Sequence, residues 1–303
     1  MRDDTPSRTA QWVAAARGLG MLLPPAQRLV EDPYGLAFSS PRLARLLDER
    51  RPGLLARVPG ISTWIAYMQV RSRVIDDAVR AFVESGGAQL VLLGAGYDTR
   101  AVRLPELAGA AVFEIDHPAT QGHKRRTLER IEVPSPAHYV TWDFETRPLD
   151  DLPDALAQAG HDPTRPTLTI WEGVTMYLSE GAIDASLRAI AAWSAPGSEL
   201  AMTYLAKRRM TRPSLATRMV QAAVAQLGEP WTWGWDPDEL PAYLGARGWD
   251  LTDDVSTPDA ARALLPPELA RLIARADRRI ALAVIAESIA LVSRRPGADP
   301  ALS

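Results

Sequence analysis

The chain has 303 residues, of which 47% are apolar, and its formal net charge is -3 at pH 7. This size allows a large core in one α/β domain with additions, while the absence of cysteine excludes disulfides and thiolate metal ligands, so no metal site is expected. The lack of a basic stripe, of a signal-peptide core and of an apolar run of about 18 residues predicts a soluble, cytoplasmic protein without nucleic acid or membrane as a partner.

The first predicted elements are helices. Apolar residues at helical spacing indicate a helix from Arg8 to Arg17, a second over Pro41–Arg51 and a third over residues 61–85. Pro24 and Pro25 end the first of these, because proline cannot continue a helix. In the third helix, Arg71 interrupts the apolar pattern shortly before a strand, where an arginine either is solvated or holds a carboxylate in a bidentate contact.

A buried strand with a glycine turn follows the helices. Leu90–Leu93 is a continuous apolar run, which is typical of a strand covered on both faces in a parallel sheet. Gly94 and Gly96 come directly after it and permit positive φ and a close approach of backbone to a ligand. Asp98 lies at the start of the next helix. A strand that ends in this way places a pocket at its carboxyl end.

An acidic residue, Asp116, ends the second predicted strand, Ala110–Ile115. An acid at this position can accept hydrogen bonds from ribose hydroxyls. A dinucleotide motif requires a third glycine after the first strand, and Thr99 occupies that position. The pattern therefore predicts an adenosine-containing cofactor and favours S-adenosyl-L-methionine (SAM) over NAD, because SAM has no pyrophosphate to seat on the helix.

Helices and strands then alternate, and the alternation ends after the fifth strand. Residues 206–235 are predicted to be a helical insertion that ends in Trp231–Trp235, which is either an edge of the core or the wall of an aromatic substrate pocket. Asp236–Glu239 resembles a capping box that starts a helix closed by Gly248. The remaining predicted elements are helices over Pro118–Ile131, Asp151–Ala159, Ser179–Trp193 and Pro267–Arg278, and strands over His138–Trp142, Thr167–Trp171, Gly197–Leu205, Trp249–Val255 and Ala281–Val292.

With these motifs placed, the chain resembles the leucine carboxyl methyltransferase family of SAM-dependent O-methyltransferases, and within it the bacterial polyketide-type branch. The resemblance rests on the segments Arg8–Arg17, Leu93–Leu104, Glu114–Pro118 with Lys124–Arg126, and Trp171–Leu178. It implies an α/β fold of the class I SAM-methyltransferase (Rossmann-like) type, a mostly parallel sheet with helices on both faces. It also implies an N-terminal helical lid over residues 1–60 and a methyltransferase domain over 61–303, with the insertion at about 206–235.

The resemblance also assigns roles in cofactor binding. Arg71 would hold the SAM carboxylate with help from Arg17, and Glu172 would face the amino group. Asp116 would bind the ribose, and Tyr177 would border the site of methyl transfer as a positioning residue. The remaining residues assigned to cofactor binding are Gly94 and Gly96 beside the methionine portion, Asp98, and Asp143 with Phe144 beside the adenine.

The chemistry of the acceptor separates the possible reactions. A carboxylate, with a pKa of about 4, is ionised at pH 7 and needs no general base, whereas a phenol, with a pKa of about 10, would gain from one. Only His117 of the four histidines lies near the predicted pocket. The sequence therefore favours methyl-ester formation on a small aromatic or polyketide-like secondary metabolite. Alternatives are a phenolic O-methyltransferase, an NAD(P) oxidoreductase and a non-catalytic binding protein; the sequence indicates no oligomeric state.

Overall fold

A central sheet organises the molecule. The computed structural model describes residues 6–39 and 60–286, apart from residues 212, 214–216, 219–220, 223–224, 226–229 and 276. The strands in chain order are β1 (Gln89–Leu93), β2 (Ala111–Asp116), β3 (His138–Thr141), β4 (Leu168–Trp171), β5 (Glu199–Leu205), β6 (Trp249–Ser256) and β7 (Arg278–Ile285). They form a seven-stranded sheet in the order β3-β2-β1-β4-β5-β7-β6.

Strand direction explains where a site can form. The five strands β1 to β5 are parallel, and β7 pairs antiparallel with both β5 and β6. The carboxyl ends of the parallel strands therefore lie at one edge of the sheet. Because β7 is reversed, its first residue, Arg278, pairs with Leu205 at the end of β5 and lies at that same edge.

Helices cover both faces of the sheet. They include α1 (Arg8–Leu19), α2 (Ile61–Glu84), α3 (Arg100–Arg103), α4 (Pro118–Arg130), α5 (Leu152–Gln158), α6 (Glu180–Ala192), α7 (Arg208–Thr211), α8 (Leu240–Gly245), α9 (Thr257–Leu264) and α10 (Pro267–Ala270). Within the described ranges, no helix has the length and apolar content needed to cross a bilayer.

The apolar run of β1 divides between two cores, as expected of a strand covered on both faces. Leu90 and Leu92 pack with the apolar stripe of α2, and Val91 and Leu93 belong to the opposite core with that of α6. Alternate residues of a strand point to opposite faces, so a continuous apolar run serves both layers. The predicted fold class is confirmed.

The N-terminal helix packs against the main body. Ser7 caps α1 by accepting a hydrogen bond from the Ala10 amide at 3.1 Å, while its own amide donates to Thr120 at 3.2 Å. A Cβ built on Gly96 would lie 3.3 Å from the Cβ of Ala10, so α1 lies directly over the glycine turn. The division into a lid over residues 1–60 and a main domain stays a prediction, and the helix predicted over Pro41–Arg51 lies outside the described residues.

Several predictions for the C-terminal part were wrong in extent. The helix predicted from Asp236 begins only at Leu240, after Glu239, whose side chain makes no capping hydrogen bond. The helix predicted over Pro267–Arg278 is confined to α10, because Arg278 is already the first residue paired in β7. The strand predicted over Ala281–Val292 begins earlier, at Arg278, and its part beyond residue 286 lies outside the described residues.

One helix was missed by the sequence analysis. Helix α9 begins after Ser256, whose hydroxyl accepts a hydrogen bond from the Asp259 amide at 3.3 Å, and it has a proline in its first turn. This Ser-x-Pro-Asp start is a usable signal for a helix N-terminus.

Leu187, fully buried between α6 and the sheet, tests how far this packing determines stability. Its replacement by Ala should lower the free energy of unfolding by about 2–5 kcal/mol, because a cavity replaces lost contacts. Urea unfolding measures the change. Leu251→Ala in the edge strand β6, where the side chain is half-buried, is the control and should cost clearly less; equal losses would contradict the packing described.

Candidate active site

The glycine turn after β1 lies at the carboxyl edge of the sheet. Gly94 and Gly96 have φ values of 71° and 53°, in the left-handed region that favours glycine. A Cβ on Gly94 would come within 2.7 Å of the Val174 side chain. The amides of Gly94 and Ala95 both donate to the Ile115 carbonyl at 3.0 Å, which ties the turn to the end of β2.

Asp116 lies at the end of β2 and faces this turn. One oxygen of its carboxylate accepts from the Gly96 amide at 2.5 Å and the other from the His117 amide at 2.7 Å. Burial raises the pKa of Asp116, and these two amide donors partly offset the rise. An ionised carboxylate accepts about four hydrogen bonds, so Asp116 retains capacity for two hydroxyl donors.

Arg71 and Glu172 form a buried ion pair beside the glycine turn. The Nε of Arg71, on α2, lies 2.5 Å from Oε1 of Glu172, one residue after β4, and the two side chains are 6% and 9% exposed. Neither of these two atoms is in an aligned hydrogen bond, although both are buried. A closely placed but poorly aligned pair of this kind can exchange its partner for the opposite charges of a ligand.

A larger network holds Glu172 in place, and sequence reasoning missed it. Arg100 Nη1 donates to Glu172 Oε2 at 2.7 Å, and Arg100 Nε donates to Asp76 Oδ1 at 2.7 Å. Arg100 also pairs with Asp98, and Arg103 makes two further hydrogen bonds to Asp76. We call this set the arginine–carboxylate cluster; it consists of Arg71, Arg100, Arg103, Asp76, Asp98 and Glu172.

The cluster is balanced in charge, with three arginines and three carboxylates. Burial alone would raise the pKa values of Asp98 and Glu172, but the neighbouring guanidinium groups, Arg100 for Asp98 and Arg71 with Arg100 for Glu172, hold both pKa values below their usual range. Glu172 therefore stays ionised at neutral pH. A signal was available in the sequence, since Asp76 falls on the apolar face of α2, one turn before Val79.

Arg17 fastens α1 to the site. Its Nε donates to Asp32 at 2.9 Å, and its Nη2 donates to the Tyr97 carbonyl in the glycine turn. Asp32 in turn accepts from the amides of Tyr34 and Gly35. Arg17 thus lies at the predicted site, and its contacts there are with protein groups that position the N-terminal helix.

Asp143 and Phe144 lie two and three residues after the end of β3, at the same sheet edge. Asp143 accepts from the Glu145 amide at 3.0 Å and from the Thr146 hydroxyl at 2.8 Å, which lowers its pKa. Phe144 is 41% exposed. Neither side chain makes a hydrogen bond or ion pair with the arginine–carboxylate cluster, but the segment that carries them adjoins Asp116, because Thr141 pairs with Asp116 and the Trp142 amide donates to the Asp116 carbonyl at 2.9 Å.

Tyr177 follows β4 in a short 3-10 helix, Thr175–Tyr177, and is half-buried. The tryptophan segment 231–235 lies beside it, since the Thr232 amide donates to the Met176 carbonyl at 2.7 Å and the Thr232 hydroxyl to the Leu178 carbonyl at 2.8 Å. Trp235 is buried in the core and Trp233 packs against it, and both line, together with Trp231, a cavity of about 700 Å³.

The four histidines, all in described residues, have partners away from Tyr177. His117 Nδ1 accepts from the Ala119 amide and caps α4. Burial lowers the pKa of His161 to about 4. His161 bonds to Thr167, His123 lies edge-on to Tyr97, and His138 stacks on Phe113. None of these contacts joins a histidine ring to Tyr177 or to the arginine–carboxylate cluster.

Two adjacent aspartates on α2 test the arginine–carboxylate cluster. Asp76→Asn removes the carboxylate that pairs with the buried Arg103 and one of the three carboxylates that pair with the buried Arg100, and it should cost about 3–5 kcal/mol of unfolding free energy. Asp77→Asn is the matched control, because Asp77 pairs with Arg73 and Arg80 at a side-chain exposure of 42% and should cost about 0–1 kcal/mol. Urea unfolding compares them, and similar losses would contradict the importance of the buried cluster.

Comparison with known proteins places this arrangement in a family. The family model described as leucine carboxyl methyltransferase matches residues 10–191. A Mycobacterium sp. (strain JLS) protein named "Putative S-adenosyl-L-methionine-dependent methyltransferase" is 34% identical over 267 residues, which cover 83% of this chain and 84% of that protein. A Frankia alni protein of the same description is 32% identical, with 84% of this chain and 88% of the relative covered.

A solved structure supports the fold. The crystal structure of a "putative methyltransferase" from Thermobifida fusca has a TM-score of 0.56 at 20% identity, and the match covers 93% of this chain and 96% of the other. The extent of the sequence matches decides against an NAD(P) oxidoreductase. The chain belongs to the leucine carboxyl methyltransferase family, and it is a methyltransferase enzyme whose methyl donor is SAM.

Proposed function

We propose that the Arg71–Glu172 pair is where the methionine end of SAM binds. The SAM carboxylate contacts Arg71 and its ammonium group contacts Glu172, so that one buried ion pair is replaced by two. The poorly aligned contact between these side chains, in which a buried Nε and a buried Oε1 lack hydrogen-bond partners, is the observation that carries this proposal. Arg100 keeps Glu172 ionised and correctly oriented.

The other predicted residues complete the proposed cofactor site. Asp116 accepts from the ribose hydroxyls while it keeps its bonds to the Gly96 and His117 amides. Gly94 and Gly96 allow the methionine portion to pass close to the backbone. Asp143 and Phe144 border the adenine at the rim. In this proposal Asp98 acts by positioning Arg100, and Arg17 acts by holding α1, the first helix of the predicted lid, against the glycine turn.

The reaction we propose is O-methylation of a carboxylate on a small aromatic or polyketide-like secondary metabolite. Bound SAM supplies a methyl group on a positively charged sulfur, and transfer breaks the C–S bond, leaves its electron pair on sulfur and forms a C–O bond to the acceptor. A carboxylate needs no deprotonation at neutral pH, which agrees with histidines that are engaged elsewhere. The protein then contributes position and exclusion of water, with Tyr177 bordering the acceptor.

The experiment for the reaction class is treatment of the methylated product with mild alkali. A methyl ester is hydrolysed and releases the free acid, whereas the aryl ether of a phenolic acceptor survives. We expect hydrolysis, and chromatography would detect the recovered acid. Recovery of an intact ether would replace the proposal by phenolic O-methylation, the second candidate.

Asp116→Ala tests the proposed ribose contact. Leaving the two hydroxyl donors unpaired should weaken the binding of SAM and of S-adenosylhomocysteine by roughly 1–3 kcal/mol, measured by calorimetry. Asp150→Ala removes an exposed carboxylate outside the site and should leave both affinities unchanged. An affinity that Asp116→Ala does not alter would show that the ribose lies elsewhere, and failure of the wild type to bind either molecule would end the proposal for the whole site.

A further inference from the structure

Two arginines outside the proposed cofactor site lie together at the carboxyl edge of the sheet. Arg209 is in α7, which follows β5, and Arg278 is the first residue of β7. Neighbouring strands are spaced by about 4.8 Å, so the ends of β5 and β7 lie roughly 5 and 10 Å beyond the end of β4. Asp116, at the end of β2, lies on the opposite side of β4. The two arginines are thus separated from the proposed ribose contact by β1 and β4.

Aromatic rings line this arginine pair. The guanidinium of Arg209 lies 5.0 Å from the ring centroid of Trp231. The guanidinium of Arg278 lies 4.4 Å from the Tyr67 ring and 5.6 Å from the Trp64 ring. This set, which we call the arginine–aromatic surface, combines positive charge with aromatic faces; Arg209 and Tyr67 are buried in it, whereas Arg278, Trp64 and Trp231 are half-buried.

The charge of this surface is not balanced in the described part of the chain. Asp277 is the carboxylate that pairs with Arg209, at 3.3 Å, and it also pairs with Arg208 at 3.1 Å. Arg209 is only 6% exposed, yet its Nε is buried without a hydrogen-bond partner. Burial, with Arg278 as a nearby cation, lowers the pKa of Arg209 to about 10. Arg209 remains charged at neutral pH. A bound anion would accept a hydrogen bond from its unpartnered Nε and would offset the repulsion between Arg209 and Arg278.

Tyr67 connects this pair to the proposed cofactor site. Tyr67 lies on α2 one turn before Arg71. The guanidinium of Arg71 is 5.6 Å from the centroid of the Tyr67 ring. The same ring therefore contacts both Arg71, which pairs with Glu172, and Arg278. An anion between Arg209 and Arg278 would lie next to the methionine end of the cofactor and would not compete for Arg71.

We propose that Arg209 and Arg278 bind the carboxylate of the methyl acceptor, with Trp64, Tyr67 and Trp231 packing against its aromatic part. This inference rests on the proposed function and names the recognition chemistry for its substrate class. It has a consequence for turnover. The acceptor enters as an anion and leaves as a neutral ester, so the arginines hold the substrate more tightly than the product.

The test uses the full chain saturated with S-adenosylhomocysteine and calorimetric titration with two probes, 1-naphthoate and methyl 1-naphthoate, in the same cosolvent. We expect the wild type to bind the acid at least tenfold more tightly than the ester. Arg209→Gln and Arg278→Gln should each weaken binding of the acid at least tenfold, should leave binding of the ester unchanged and should alter the affinity for S-adenosylhomocysteine less than twofold.

Further variants guard against a trivial loss of folding. Arg278 is only half-buried, so its Gln variant carries the test if Arg209→Gln unfolds, and Arg209→Lys should retain more affinity for the acid than Arg209→Gln. Arg262→Gln, which removes an arginine that is 67% exposed, is the matched control and should behave as the wild type.

Two outcomes would overturn the inference: no preference of the wild type for the acid over the ester, or undiminished binding of the acid by both Gln variants. Its failure can be told from failure of the proposed function, because the latter appears as absent binding of S-adenosylhomocysteine. If 1-naphthoate binds in an arginine-dependent way but S-adenosylhomocysteine does not bind, the proposed anion site stands and the proposed cofactor site is wrong.

Discussion

The buried guanidinium of Arg100 is the interaction on which the site depends. It joins three separate parts of the chain, because Asp76 belongs to α2, Asp98 to the turn after β1, and Glu172 to the end of β4. Burying an isolated charge costs several kcal/mol, and that cost is offset only when partners with good geometry surround it. The cluster therefore favours one arrangement of these three elements, and this arrangement aims Glu172 at Arg71.

This organisation suits an enzyme that positions its reactants more than it moves protons. Methyl transfer needs alignment and a site free of water, and preorganised charges in a low-dielectric setting act more strongly than they do in water. The buried histidines instead support the structure, as His117 does at the start of α4. An anionic acceptor held by arginines would supply its own nucleophile, so the proposed chemistry does not require a histidine as general base.

The two sides of the site, at the carboxyl ends of β2 and of β5, differ in chemistry, and the reversed strand β7 contributes to the second of them. On the side of β2, Asp116, held by the amides of Gly96 and His117, offers a carboxylate suited to the hydroxyls of a nucleoside. On the side of β5, the antiparallel pairing brings the N-terminal residue of β7 to the same edge as the carboxyl ends of the parallel strands. Arg278 reaches Tyr67 and the neighbourhood of Arg209 only for this reason.

The sequence by itself determined the parallel sheet, the glycine turn, the acid at the end of β2 and the family. An apolar run, a pair of glycines and an acid at a strand end each involve residues close together in the chain, and backbone geometry alone allows such local patterns to be interpreted. It did not determine the start of α8, the short α10 or the pairing of Asp76, Arg100 and Glu172. Those depend on residues distant in sequence that meet only after folding, where desolvation makes each buried charge find a partner. The side of the edge at which Arg209 and Arg278 meet was likewise decided by the tertiary structure, through the direction in which β7 pairs with β5.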